Sequence, residues 1–404
     1  MVPWETLPRI DAVLHEAGTG DAILGVPPGR SVTPRSADEL AAVLRWADAA
    51  GLAVLPRGGG TKLGWGNPPR RGDLLLSLAG LDRILDHPWA DLTVTVEAGC
   101  PFSVLQAALA THGQRLALDP LFPARATVGG LLATNDSGTL RVRYGSLRDL
   151  VIGMTLALPD GTLARSGGRV VKNVAGYDLP KLATGAFGTL GVVTQATFRL
   201  HPLPRGTAAY SREVGSVPEA NRLILALHAS PLPYTGLQAR VSKGGPVALD
   251  VGFEGTPEGL EAQARGLRAL SPEFAPTEAG VFGLRQGLFD GRATVLKLSV
   301  LPSGIADAVA AISSRGGGLS WSAVLQGTGV GHVGVTGEGV VEFVRSLRSH
   351  LEGSGGSLVV LERGDHPGLE TWGHPGDEAA LMAAVKGQFD PKGTLNPGRF
   401  VGGL

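Results

Sequence analysis

Pro56-Arg57-Gly58-Gly59-Gly60-Thr61-Lys62-Leu63-Gly64-Trp65-Gly66 follows a short apolar run, Leu52 to Leu55, and holds too many glycines for a helix or a regular strand. It reads as a loop on a strand end, where backbone N–H groups can approach a diphosphate closely and hold its two negative charges. Its spacing disfavours two familiar nucleotide folds. After Gly58 and Gly60 the third glycine of GxGxxG would fall at Leu63, and no acidic residue closes a βαβ unit. No Gly-Lys-Ser or Gly-Lys-Thr follows either, as a Walker loop requires. Two further small-residue loops, Thr127 to Gly138 and Gly185 to Val193, suggest that one long cofactor is wrapped by all three.

Around these loops, helical and strand patterns alternate. SADELAAVLRWADAAG, from Ser36, has a capping box in Ser36 and Glu39 and a stop at Gly51. LTVTVEAG alternates as a strand does, and the Gly99 turn leads to a helix opened by Pro101 and closed near Gly113. VIGMTLALPDGTLAR predicts a hairpin around Pro159-Asp160-Gly161, and GTLGVVTQATFRLHP a strand ended by Pro202 and Pro204. Beyond Arg205 the texture changes, with helical stretches PEANRLILALHAS and SGIADAVAAISS and strands TVLKLSVLP and SLVVLER, so a second lobe is expected there. The tail FDPKGTLNPGRF, Phe389 to Phe400, is dense in turns.

Composition narrows the partners. A chain of 404 residues, 43% hydrophobic, is long enough for two cores. Lysine plus arginine equals aspartate plus glutamate at 36 each, which leaves no net field to attract nucleic acid or an anionic membrane. The single cysteine, Cys100, excludes an internal disulfide and leaves no cysteine cluster for zinc or iron–sulfur. Met1-Val2-Pro3-Trp4-Glu5 has neither the basic start nor the apolar core of a leader, and no run of about 18 apolar residues provides a transmembrane segment. A cytoplasmic protein, peripheral to the inner face of the membrane through partners, is the expectation.

Gly167-Gly168-Arg169-Val170-Val171-Lys172-Asn173-Val174-Ala175-Gly176-Tyr177-Asp178-Leu179, followed by the GTLGVV strand, is similar to the "GG-x-V-x-KNVAGYD" signature of the FAD-binding E subunit of glycolate oxidase. Together with the loop order from Val32 to Leu203 and the tail, it makes the chain resemble the PCMH-type (vanillyl-alcohol-oxidase-like) FAD-binding oxidoreductases. The resemblance implies an α+β fold, two α+β subdomains gripping FAD with an α/β cap domain. The domains would be residues 1–204 for FAD, 205–385 for the cap, and 386–404 returning to the FAD domain.

Position by position, it implies that Arg57, Gly58, Gly59, Gly60, Thr61 and Lys62 hold the diphosphate through their amides. Thr127, Gly129, Gly130, Asn135, Ser137 and Gly138 would line the flavin and diphosphate side, and Gly191 and Val193 the adenosine half. Tyr144 and Asp149 would support the site, while Asn396 and Arg399 would lie near the flavin or brace the loop there. Covalently flavinylated members carry a histidine where this chain has Thr61, which cannot form that bond, so FAD is expected to be noncovalent.

Oxidising a 2-hydroxy acid needs a cation for the carboxylate, and Lys172, Lys297 and Arg285 are the candidates. The histidine-rich metal site of the catalytic relatives shrinks here to GTGVGHVG, with His332 alone, and the loop pair His366 and His374 is read as solvated, so no metal is expected. The implied role is the FAD-binding subunit of a glycolate (2-hydroxy-acid) oxidase, partnered by a catalytic flavin subunit and an iron–sulfur subunit. A free-standing FAD-dependent alcohol or 2-hydroxy-acid dehydrogenase, and a flavin-binding structural subunit without catalysis, remain as alternatives.

Overall fold

Strand Val54–Arg57 delivers the glycine loop, and its place at the edge of a four-stranded sheet fixes where that loop can go. The computed structural model describes residues 7, 13–169 and 176–404. The sheet runs Val13–Glu16, Arg30–Thr33, Leu74–Ser77, Val54–Arg57, parallel among its last three strands and antiparallel between its first two. The strand begins two residues later than Leu52, so Pro56 and Arg57 lie inside it, paired with Leu76 and Ser77. Its free edge is taken by the tail: Val54 N donates to Thr394 O (2.7 Å), and Asn396 N donates to Val54 O (2.9 Å). That pairing blunts an otherwise open sheet edge.

Helix Ala37–Ala49 is capped by Ser36, whose side chain accepts from Glu39 N. Glu39 reaches one residue further back than a capping box requires, accepting from Arg35 N at 2.7 Å. A five-stranded antiparallel sheet follows, in the order Ile84–Asp86, Thr93–Glu97, Val192–Arg199, Val151–Ala157, Leu163–Gly167. The hairpin around Pro159 to Gly161 is its last pair. Each sheet has its own apolar core, one around Leu40, Leu44, Leu74 and Leu76, the other around Val94, Leu105, Leu131 and Phe198.

Thr127 to Gly138 is not the open loop its small residues suggested, because Val128–Thr134 is helical. Its glycines serve close approach. A Cβ on Gly129 would lie 2.8 Å from Ala98 Cβ and 3.1 Å from Ala98 O, so only glycine lets this helix settle on the end of the Thr93–Glu97 strand.

The chain divides into two compact units: residues 1–137, 145–203 and 374–404 form one, and residues 138–144 and 204–373 the other. Two boundaries differ from the expected contiguous ones. Residues 138–144 leave the first unit, and Tyr144 Oη donates to Glu254 of the second at 2.6 Å. The return segment starts at His374 rather than residue 386, because helix Ala379–Phe389 is tied into the first unit through Lys386.

The second unit is built on an eight-stranded sheet, antiparallel at every pairing, with helices Val217–Ala229, Pro257–Leu270, Ile305–Arg315 and Val340–Gly353 contributing to the apolar core on one face. No helix among the described residues is long and apolar enough to cross a membrane.

Candidate cofactor site

Gly58 and Gly59 are seated against residues 125–127 without room for side chains. A Cβ on Gly58 would lie 2.1 Å from Thr127 Oγ1, and one on Gly59 would lie 1.9 Å from Arg125 O. Gly59 N donates to Thr127 Oγ1 at 3.3 Å, which joins the first small-residue loop to the second. Two of the first amides of helix Val128–Thr134 are already used, Val128 N by Cys100 O and Gly129 N by Ala98 O. The amides of Gly60, Thr61 and Gly130 donate to no group among the described residues.

These segments enclose two adjoining hollows within the first unit. Arg57, Gly58, Gly129, Gly130, Gly191, Val193 and Asn396 line the first. Gly59, Gly60, Thr61, Lys62, Thr127 and Arg399 line the second, and Gly58, Gly130 and Asn396 belong to both. The walls also include Ala98, Ala133, Phe187 and Gly188, which the sequence reading did not single out. Phe187 and Gly188 sit in the Gly185 to Val193 loop with φ of 54° and 66°, and the glycine spacing was the available signal. Ala98 carried none, since an alanine at a strand end is unremarkable.

Asn135, Ser137 and Gly138 line neither hollow. Asn135 ends helix Val128–Thr134 in the left-handed region (φ 47°), and its Oδ1 is buried without a hydrogen-bond donor. Ser137 is buried, and Gly138 opens the segment grouped with the second unit. Asp149 is an exposed helix cap, accepting from Ser146 N and Oγ at 2.8 Å each.

Two cations of the first loop already have carboxylate partners. Arg57 pairs with Asp21 at 2.5 Å, and this guanidinium holds the Asp21 carboxyl below its usual range. Lys62 is buried: its ammonium lies 3.4 Å from Asp136, donates to Leu121 O (3.2 Å), and stands over the rings of Trp65 and Phe122 at 5.7 and 5.8 Å. Leu121 N in turn donates to Asp136 at 2.7 Å, so this cluster pins the glycine loop to the segment before helix Val128–Thr134. Cys100 is buried beside it, its thiol pushed up to about 11 chiefly by desolvation, which makes it an inert packing residue.

The tail closes the site from below. Asn396 Nδ2 donates to Phe187 O at 2.6 Å, and Arg399, itself buried, donates to Asn67 O (2.9 Å) and Leu63 O (3.0 Å). Arg399 is therefore a brace for the end of the first loop.

Lys172 lies outside the described residues. Lys297 and Arg285 belong to the second unit, on the sheet face away from its helices. Leu296 and Leu298 point into the core, so Lys297 between them projects the other way, in register with His332 on the neighbouring strand. Segment Ala279–Phe289 lies on that same face: Gln238 donates to Val281 O (2.9 Å), and the rings of Phe289 and His332 are 6.3 Å apart. Arg285, in this segment, is buried. Glu362, at the sheet edge, has its carboxyl raised by burial. No group of three or more His, Cys, Asp or Glu among the described residues could hold a metal ion.

Glycine-lined walls and amides that donate to no group among the described residues fit a long, negatively charged cofactor. Comparisons identify which one. An FAD binding domain matches residues 28–167. Glycolate oxidase subunit GlcD of Bacillus subtilis is 36% identical over 177 residues, 44% of this chain and 38% of that protein. D-lactate dehydrogenase of Archaeoglobus fulgidus is 30% identical over 415 residues, 92% of this chain and 90% of that protein. The match with the first relatives found spans only 36–38% of their length. A solved alkyldihydroxyacetonephosphate synthase shares the fold, with a TM-score of 0.72 and 17% identity over 93% of this chain and 78% of that one.

Proposed function

Because the chain belongs to the PCMH-type FAD-binding oxidoreductases, we propose that it is the FAD-binding subunit of a complex that oxidises a small 2-hydroxy acid such as glycolate, holding FAD without a covalent bond. The observation that carries this reading is the convergence of three small-residue loops on two adjoining hollows, where the amides of Gly60, Thr61 and Gly130 donate to no group among the described residues. Thr61 stands where covalently flavinylated members have histidine, and a hydroxyl offers no such link.

Bound FAD supplies the two-electron acceptor that oxidation of a carbinol carbon requires. The chain's own residues then have separate tasks. Amides of the first loop and of Gly130 would hold the diphosphate, and Gly191 and Val193 the adenosine half. Ser137 ends a segment of the first unit, and Gly138 begins one of the second. Lys172, Lys297 and Arg285 are the candidate cations for the substrate carboxylate. With one cysteine in the chain, an iron–sulfur relay would belong to a partner, and a second, catalytic flavin subunit completes the proposed complex at the inner face of the membrane.

A second reading, a free-standing dehydrogenase, is favoured by the near full-length match to the Archaeoglobus protein. Anaerobic bleaching of the flavin by glycolate or D-lactate separates the two. Bleaching that needs the partner subunits supports the subunit role, and bleaching of the lone chain replaces it with the second reading. Acid precipitation should release all flavin to the supernatant; flavin retained in the pellet would contradict noncovalent binding.

A further inference from the structure

Helix Ala379–Phe389, AALMAAVKGQF, is inverted relative to an ordinary surface helix. Its one buried residue is Lys386, while Leu381 is 68% exposed. Apolar burial therefore does little to dock it.

The Lys386 ammonium has three N–H groups and three partners: Thr189 O at 2.7 Å, Leu395 O at 3.0 Å and Asp390 Oδ2 at 2.5 Å. The partners come from different segments. Thr189 belongs to the third small-residue loop, Leu395 to the tail segment bridged to Val54, and Asp390 to the turn between helix and tail. Asp390 is fully buried and also accepts from Thr394 N and Leu395 N at 2.8 Å each. One residue from two of these contacts lie cavity walls: Gly188 precedes Thr189, and Asn396 follows Leu395. Lys386 itself lies on the far side of the loop and does not line the cavity.

We propose that Lys386 is a positioning residue for FAD, a buried ammonium that sets the separation of the third loop from the tail turn and so fixes two walls of the cofactor cavity. The proposal rests on the FAD site described above. A merely structural role makes a different forecast. Methionine matches the lysine stem in volume but leaves Asp390 a buried charge without its cation, held only by Thr394 N and Leu395 N, so Lys386→Met lowers the stability of the fold under either reading, and the two part on the FAD affinity of the folded apoprotein.

The test is FAD titration of the full-length apoprotein, wild type against Lys386→Met, Lys386→Arg and Lys392→Ala, with circular dichroism and thermal unfolding of each apoprotein alongside. Lys392 is the control: it also ties the tail to the first unit, through Asp48 at 2.7 Å, but from an exposed position with no contact to the third loop. The expected result is a less stable apo fold in Lys386→Met whose FAD affinity, measured well below its unfolding transition, is weakened by roughly tenfold or more, as lost supporting contacts typically do. Lys386→Arg should recover part of the affinity, and Lys392→Ala should leave it unchanged. Equal affinity for wild type and Lys386→Met would overturn the positioning role while leaving the FAD site standing. A wild-type chain that binds no FAD would overturn the site, and this role with it. Should Lys386→Met fail to fold, Lys386→Gln and Asp390→Asn take its place under the same criterion.

Discussion

Gly59 and Gly60 are neighbours with opposite requirements, and the contrast can be measured. A methyl group on Gly59 would meet the Arg125 carbonyl at 1.9 Å, a backbone atom that cannot step aside without moving the segment into Thr127. On Gly60 the nearest atom would be 3.8 Å away, but φ is +73°. Gly60→Ala should therefore cost only the left-handed penalty, about 1–2 kcal/mol. Gly59→Ala adds overpacking of about 1–3 kcal/mol and should also separate the first two loops, so FAD binding is lost. Urea denaturation and FAD titration of the two variants check this. Equal FAD affinities would show that the Gly59 contact does not shape the site. The glycine run itself was legible as a cofactor loop. Which glycine is needed for space and which for backbone angle was not, because that depends on a carbonyl 66 positions later in the chain.

At the scale of elements, the Lys62–Asp136 cluster does what no regular structure does here, joining the glycine loop to the residues around helix Val128–Thr134. Both side chains are almost fully buried, so removing one partner leaves an uncompensated charge. Lys62→Met and Asp136→Leu alone should each cost about 3–5 kcal/mol, while the double variant should recover a large part of that loss. A double-mutant cycle from chemical denaturation gives the coupling energy, and strictly additive losses would mean that the pair is not a unit. The sequence placed Lys62 in the loop but held no hint that its ammonium is buried against Asp136 and Leu121 O. Helix Val128–Thr134 was hidden for a related reason. Its glycines read as loop because glycine normally weakens helices, whereas here the Ala98 contact offsets that cost.

For the whole molecule, the division into two units with separate cores predicts two calorimetric transitions rather than one. FAD should raise the transition of the unit that carries the three loops, by about 2.7 kcal/mol at a concentration one hundred times its Kd, and leave the other nearly in place. Scanning calorimetry with and without FAD tests this. A single transition shifted as one would show that the units unfold together.

Local chemistry was what the sequence could determine. Glycine density, the failed GxGxxG spacing, the KNVAGYD string and the single cysteine constrain the backbone and the available atoms wherever the chain goes, so the cofactor class and family followed from them. Tertiary structure decided which of those atoms meet. It brought Arg57 to Lys62, Thr127, Gly129, Gly130, Gly191, Val193 and Asn396 around two adjoining hollows and left Asn135, Ser137 and Gly138 off their walls. It also put Lys297 and His332 side by side on neighbouring strands. Lys386 shows the reason most plainly. In an apolar helix near the end of the chain it reads as a surface lysine, and only the arrival of Thr189, Asp390 and Leu395 around its ammonium makes it the one residue that helix buries.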